Sequence, residues 1–201
     1  MTNVLVIGAT GTVGNTTRRY FLDHTDDHLT LMARNTGRLG KLDETREKAI
    51  AGSVTDQKDL AKALVGQDAV FAALSGNLKS MASSLVAAMN ESKVKRLIFI
   101  TSMGIYNEIP SSVGANGNLR SNPVLQNYRD AADVIEASNL AYTIIRPGWF
   151  DSSTDTNYEI THKGEPFGGH DVSVTSIADL VTRLVHDQSL GLRDSLGINR
   201  K

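Results

Sequence analysis

Residues 4–14 read VLVIGATGTVG, and the fold is decided there. Val4, Leu5, Val6 and Ile7 form a short, unbroken aliphatic run, the pattern of a strand buried on both faces of a parallel sheet. Gly8, Gly11 and Gly14 follow at three-residue spacing. Behind them, Asn15 to Asp23 reads as a helix that turns Tyr20 and Phe21 toward a core and Arg18 and Arg19 toward water. Strand, glycine turn and helix in this order give each glycine a physical role. The first permits the turn, the second lets backbone amides approach a pyrophosphate, and the third lets the helix pack close to the strand. Free N–H groups and the dipole at the helix start attract the phosphates. A plain glycine turn between a strand and a helix has the same spacing, but the hydrophobic strand in front of this one favours nucleotide binding.

The chain around this motif has 201 residues, 40% hydrophobic and 21% charged, which suits one soluble globular domain. Residues from about 149 to 201 are expected to supply its substrate side. A net charge of -1 offers no basic field for nucleic acid or an anionic membrane, so neither is expected as a partner. The absence of cysteine excludes disulfides, thiolate metal sites and a cysteine nucleophile. The first apolar run is too short for a signal peptide or a membrane span, and a cytoplasmic location is the expectation. Nothing in the sequence indicates an oligomer.

Strands and helices then alternate. His28 to Ala33 reads as a second strand, and Arg34 follows it. Dinucleotide sites place an acid about twenty positions after the glycine turn to hold the ribose hydroxyls, whereas an arginine there accommodates the 2'-phosphate of NADP. Arg34 stands at that place with no acid beside it, and Asn35, Thr36 and Arg38 follow, so NADP is expected over NAD. Lys48 to Ala51 is a short third strand. Ser53 to Asp56 reads as a strand end and a cap for a helix over Gln57 to Val65. Ala69 to Leu74 is a fourth strand, ending in Ser75, Gly76 and Asn77; a helix spans Met81 to Asn90, and Arg96 to Thr101 is a fifth strand. The order is that of a Rossmann-type, doubly wound parallel α/β sheet.

From Met103 to Pro123 the periodicity is lost, and this long polar loop reads as a substrate lid or as a segment disordered without ligand. A helix follows over Val124 to Ala137 and a strand over Tyr142 to Ile145. A loop then runs to about Gly169, followed by a short strand at Val172 to Val174, a helix at Ile177 to Val185 and an extended piece at Leu196 to Asn199.

GATGTVG at the first turn, Arg34, ITSMG at the end of the fifth strand and YTIIRPG at the sixth together resemble the atypical short-chain dehydrogenase/reductases. The resemblance is to the group that contains NmrA-like proteins and flavin reductases of the biliverdin reductase B type, and it covers nearly the whole chain. It implies a Rossmann fold with bound NAD(P). Gly8, Thr10, Gly11, Thr12 and Val13 would then meet the pyrophosphate with Gly14 closing the motif, Arg34 the 2'-phosphate, and Leu74, Ser75 and Gly76 the riboses. Thr101 would join the cofactor-binding residues. Ser102 and the backbone of Pro147, Gly148 and Trp149 would approach the nicotinamide.

One departure matters. Redox members of the wider superfamily pair a tyrosine with a lysine four residues later, which lowers the phenol's pKa for proton exchange. Tyr128 stands in the expected helix after Ser102, but four residues on the chain has Ala132. Tyr106 and Tyr158 lack such a lysine too. Tyr128 either bonds the nicotinamide ribose or packs as an ordinary helix tyrosine. Ser102 and Tyr128 remain the catalytic candidates. His24 and His28 have ligand-like spacing but straddle a helix end and a strand start, so no metal is expected. His162 and His170 sit in a loop from which either could donate a proton. Trp149 and Phe150 would stack on a flat substrate or pack in the core.

These residues point to an NADPH-dependent oxidoreductase that passes hydride to a flat conjugated acceptor, a flavin or a quinone, whose proton comes from water. The second reading is a non-catalytic NADP(H)-binding redox sensor of the NmrA-like type. A sugar-nucleotide epimerase is disfavoured, because that chemistry leans on a tyrosine base and a larger substrate domain.

Overall fold

The computed structural model describes residues 1–201. Its strands are β1 (Asn3–Ile7), β2 (His28–Ala33), β3 (Glu47–Ala51), β4 (Ala69–Ala72), β5 (Arg96–Ile100), β6 (Ala141–Pro147), β7 (Trp149–Asp151), β8 (Tyr158–Thr161), β9 (Asp171–Ser173) and β10 (Asp194–Arg200). Its helices are α1 (Thr12–His24), α2 (Gln57–Leu64), α3 (Leu78–Glu91), α4 (Gln126–Glu136) and α5 (Val174–His186). The main sheet runs β3-β2-β1-β4-β5-β6-β10-β8, with β7 and β9 paired separately. All its neighbours are parallel except β8, which runs antiparallel to β10 at the edge. This is the doubly wound α/β sheet that the alternation predicts.

Side chains alternate across the sheet because the strand period is two. Leu5 and Ile7 of β1, with Val70 and Ala72 of β4 and Leu97 and Phe99 of β5, enter the core under α2, α3 and α4. Val4 and Val6, with Phe71, Ile98 and Ile100, enter the opposite core under α1 and α5. Both faces are therefore covered, as an all-apolar strand run requires. Asp56, Asn77 and Ser173 cap α2, α3 and α5 through their side chains.

Several expectations are corrected. α1 begins at Thr12, three residues before the expected Asn15. Arg18 does not face water: it is buried and paired with Glu47 at the start of β3. Within the span expected to be loop up to Gly169, β7 and β8 form, and α5 starts at Val174 rather than Ile177. The segment 103–123 is tied down rather than disordered. The buried Asn118 side chain accepts from the Ile109 amide at 2.9 Å and donates to the Ile109 carbonyl at 2.8 Å. Glu108 accepts from the amides of Gly104 and Tyr106 and from Arg146 on β6. The Tyr106 hydroxyl donates to Glu136 on α4 at 2.7 Å, and burial, with Glu136 acting the same way, pushes that phenol well above its usual value. No helix is long and apolar enough to cross a membrane.

Candidate functional site

β1 lies between β2 and β4, so the chain winds outward in opposite directions from this point, and the crevice at the strands' carboxyl ends is where open α/β sheets hold ligands. Gly8 turns the chain there with φ +84°, and a Cβ on it would lie 2.0 Å from the Ala73 carbonyl oxygen just past β4. Only glycine satisfies both demands. At Gly14 a Cβ would meet the Gly8 carbonyl oxygen at 2.3 Å, so this glycine lets α1 press against the turn. Gly11 differs: beyond the Gly8 oxygen at 3.4 Å its missing Cβ would meet nothing. It opens the turn toward the ligand side, and no side chain caps α1, whose first amides face outward from Thr12, Val13 and Gly14. That is a cradle for a diphosphate, and it fits a dinucleotide.

Beside β2, a cavity of about 340 Å³ is lined by residues that include Gly8, Thr10, Gly11, Arg34, Arg38, Leu74 and Ser75. Both guanidiniums are exposed and neither makes an ion pair, so both are free to take a phosphate. Asn35 caps the short turn over Thr36–Leu39 by accepting from the Gly37 amide at 3.1 Å, which sets the direction of this loop. Ser53, Val54 and Thr55, which the sequence presents only as a strand end and cap, also line the cavity. Their placement directly after β3, beside β2, was the available signal. Gly76 is not among the lining residues; its carbonyl accepts from Asn127 of α4 at 2.6 Å.

Beyond β5 and β6 on the same edge, a second cavity, of about 420 Å³, gathers Thr101, Ser102, Tyr128, Pro147, Gly148 and Trp149. Its floor is fixed by the sheet: Thr101 donates through N and Oγ1 to the Ile145 carbonyl, and the Met103 amide donates to the Pro147 carbonyl at 3.1 Å. Gly148 is required by close approach, since a Cβ would lie 2.5 Å from the His170 carbonyl oxygen. Ser102 Oγ, half-buried, donates to the Met103 carbonyl at 3.2 Å. Ser102 and Tyr128 are thus brought to one cavity, while Ala132, at the lysine position, is sealed in the core.

Trp149 is 66% exposed and Phe150 47%, so neither is a core residue, and both line this cavity. Trp149 stacks with His170 at 6.4 Å between ring centroids. His162 lies apart from the cavity, its Nδ1 2.6 Å from Asp194 Oδ2. His24 ends α1 and stacks on Tyr20 at 3.9 Å, whereas His28 begins β2. The 103–123 loop does contribute to the cavity through Met103, Gly117 and Asn122, which periodicity could not reveal.

The sequence profile of the NAD(P)H-binding family matches residues 8–188. A Rossmann-fold NAD(P)-binding family protein from Shigella flexneri is 36% identical, with a TM-score of 0.84 over 100% of this chain and 94% of its own. A short-chain dehydrogenase/reductase from Veillonella parvula, solved in complex with NADP, is 26% identical with a TM-score of 0.91 over 99% of this chain and 94% of its own. YhfK of Bacillus subtilis, named an uncharacterized sugar epimerase, is 26% identical over 95% of this chain and 94% of its own length.

Proposed function

The chain belongs to the NAD(P)H-binding family, and from that premise we propose that it is an NADPH-dependent oxidoreductase whose acceptor is a small, flat, conjugated molecule such as a flavin or a quinone. One observation carries this reading: a single edge of the sheet presents two unpaired guanidiniums, Arg34 and Arg38, at one end and an aromatic-rimmed cavity holding Ser102 and Tyr128 at the other. NADPH, when bound, supplies a hydride. Arg34 and Arg38 select the 2'-phosphate, for which no carboxylate competes in that cavity. Thr101, Pro147 and Gly148 form the floor against which two rings are held in contact, and Trp149 and Phe150 cover the outer face. Tyr128 donates a hydrogen bond to the acceptor, and Ser102 does so when its hydroxyl turns from the Met103 carbonyl. Lacking a neighbouring lysine, Tyr128 orients rather than protonates, and the proton comes from water. A cytoplasmic location belongs to this reading.

The buried Ala132 also supports a second reading, a redox sensor of the NmrA-like type that binds NADP(H) without turnover. Epimerisation, the activity in YhfK's name, is disfavoured by the same residue. The deciding experiment follows NADPH oxidation by the purified protein with FMN or a simple quinone, with NADH and an Arg34→Ala variant alongside. Turnover with NADPH, weakened in the variant and poor with NADH, is the expected result. Tight NADPH binding without turnover would favour the sensor.

A further inference from the structure

The two ends of the site differ in charge. Arg34 and Arg38 stand free at the adenosine end, whereas the cavity that holds Ser102 and Tyr128 is lined by no Asp, Glu, Lys, Arg or His. Of the cations on the elements around it, Arg146 of β6 is held by Glu108 and Arg129 of α4 by Asp133, while Arg120 of the 103–123 loop and His170 beside Trp149 are exposed and lie outside the lining. An anionic group seated in this cavity would lose hydration and meet no counter-ion in the lining. The polar groups on offer are neutral: the Tyr128 hydroxyl, which makes no hydrogen bond to the protein, the Asn122 amide, and the Ser102 hydroxyl once it turns from the Met103 carbonyl. Such donors suit a ring carbonyl.

Three side chains at the rim are apolar, with the His170–Asp171 pair behind Trp149. Val124 is 74% exposed, and with Trp149 and Phe150 it makes three of the six large hydrophobic side chains exposed anywhere on the chain. Clustered exposed apolar groups beside a cavity mark a binding surface. A volume of about 420 Å³ must take the nicotinamide as well as the acceptor, so any substituent on the acceptor ring is left at this rim.

We infer that the acceptor is an uncharged planar ring with an apolar substituent, the ring seated beside Ser102 and Tyr128 and the substituent laid over Trp149, Phe150 and Val124. This rests on the reductase reading and narrows it to quinone-like acceptors over phosphate-bearing flavins. The quinone takes up one hydride, leaving NADP⁺, and one proton from water, to give the hydroquinone.

Trp149 is the chain's one tryptophan, so its emission reports binding without turnover. The experiment titrates NADP⁺-loaded protein with a naphthoquinone bearing an alkyl chain, its unsubstituted parent and its sulfonate, and then measures kcat/KM with NADPH for the same three and for FMN. The alkylated quinone is expected to quench Trp149 at least about tenfold more tightly than the sulfonate, given the cost of burying an unpaired charge. It should also lead FMN in kcat/KM. Val124→Asp and Phe150→Ser should lower binding of the alkylated ring more than that of its parent. Sulfonate or FMN doing as well as the alkylated quinone, or an equal loss for both rings in the variants, overturns the inference and leaves the reductase reading standing. Ordered quenching without NADPH oxidation supports the inferred site and removes the reductase reading. Absence of quenching by every ring overturns the inference whatever the turnover.

Discussion

Arg146 Nη1 lies 2.5 Å from Glu108 Oε1, with the arginine side chain 0% and the glutamate 5% exposed. The pair ties the loop after β5 to the end of β6, one residue before Pro147 on the floor of the cavity that holds Ser102 and Tyr128. Arg146 also donates to Ser195 Oγ and to the Ser195 carbonyl, and Glu108 accepts from two loop amides. All three guanidinium nitrogens and both carboxylate oxygens are therefore used. Removing one partner strands the other in a dry site, which costs about 3–5 kcal/mol. Glu108→Ala should lower the melting temperature and raise KM for the acceptor more than KM for NADPH. An unchanged acceptor KM in a folded variant would show that the loop does not shape the cavity.

Gly14 sets two effects against each other. Alanine is a better helix former by about 1 kcal/mol. At this position, however, its Cβ would sit 2.3 Å from one backbone oxygen and 2.9 Å from a backbone carbon of Gly8. Backbone cannot swing aside as a flexible side chain can, so the clash wins, at about 1–3 kcal/mol. Gly14→Ala should lose stability in thermal melts and bind dinucleotide more weakly, because the turn that must yield is the phosphate cradle itself.

The same distinction, between local and distant causes, separates what the sequence discloses from what it hides. β1, the glycine turn and Arg34 are legible because their signals are contiguous: an apolar run, a fixed spacing, one cation directly after a strand. Arg18 is not, because its partner Glu47 is 29 residues away and a charge on a helix reads by default as solvated. β7 and β8 are only three and four residues long and draw their order from β9 and β10, which lie later in the chain. The 103–123 loop reads as free because Glu108 is held by an arginine 38 positions on. The site follows this division. The gathering of the glycine turn and Arg34 at one cavity could be read, whereas Ser53 to Thr55, Asn122 and the exposed aromatic rim depend on how distant strands meet.

His162 supplies a pH-dependent contribution. Its hydrogen bond to Asp194, with Glu165 adding in the same sense and burial opposing, holds the imidazolium above its ordinary value. A folded-state pKa above the unfolded one stabilises the fold below the unfolded pKa of about 6.5, and that contribution is lost as pH rises through the folded value. The ring is largely exposed, so the effect is small. Melting temperatures of the native chain and His162→Gln should differ most near about pH 5.5 and converge by about pH 8. Divergence toward alkaline pH would reverse the assigned sign.

Arg18 holds the loop that carries Arg38 without lining the cavity that Arg34 and Arg38 enter. Its guanidinium pairs with Glu47, donates to the Leu39 carbonyl at 2.6 Å and reaches the Lys41 carbonyl at 3.0 Å, while Glu47 also accepts from the Asp43 amide at 2.9 Å. This cluster pins the far end of the loop that begins with Arg34 and carries Arg38. Arg18→Met leaves a buried carboxylate unpaired and should cost about 3–5 kcal/mol, so the milder Glu47→Gln is the informative variant. It keeps the shape and most of the hydrogen bonds while removing the charge that fixes the guanidinium. With the loop loosened, Arg34 and Arg38 must be ordered as ligand binds, and NADPH affinity should fall by about three- to tenfold, or about 0.7–1.4 kcal/mol. On the proposed reading, in which those arginines meet the 2'-phosphate, NADH should bind nearly as before. Equal loss for both dinucleotides would place the effect in the sheet rather than in the loop.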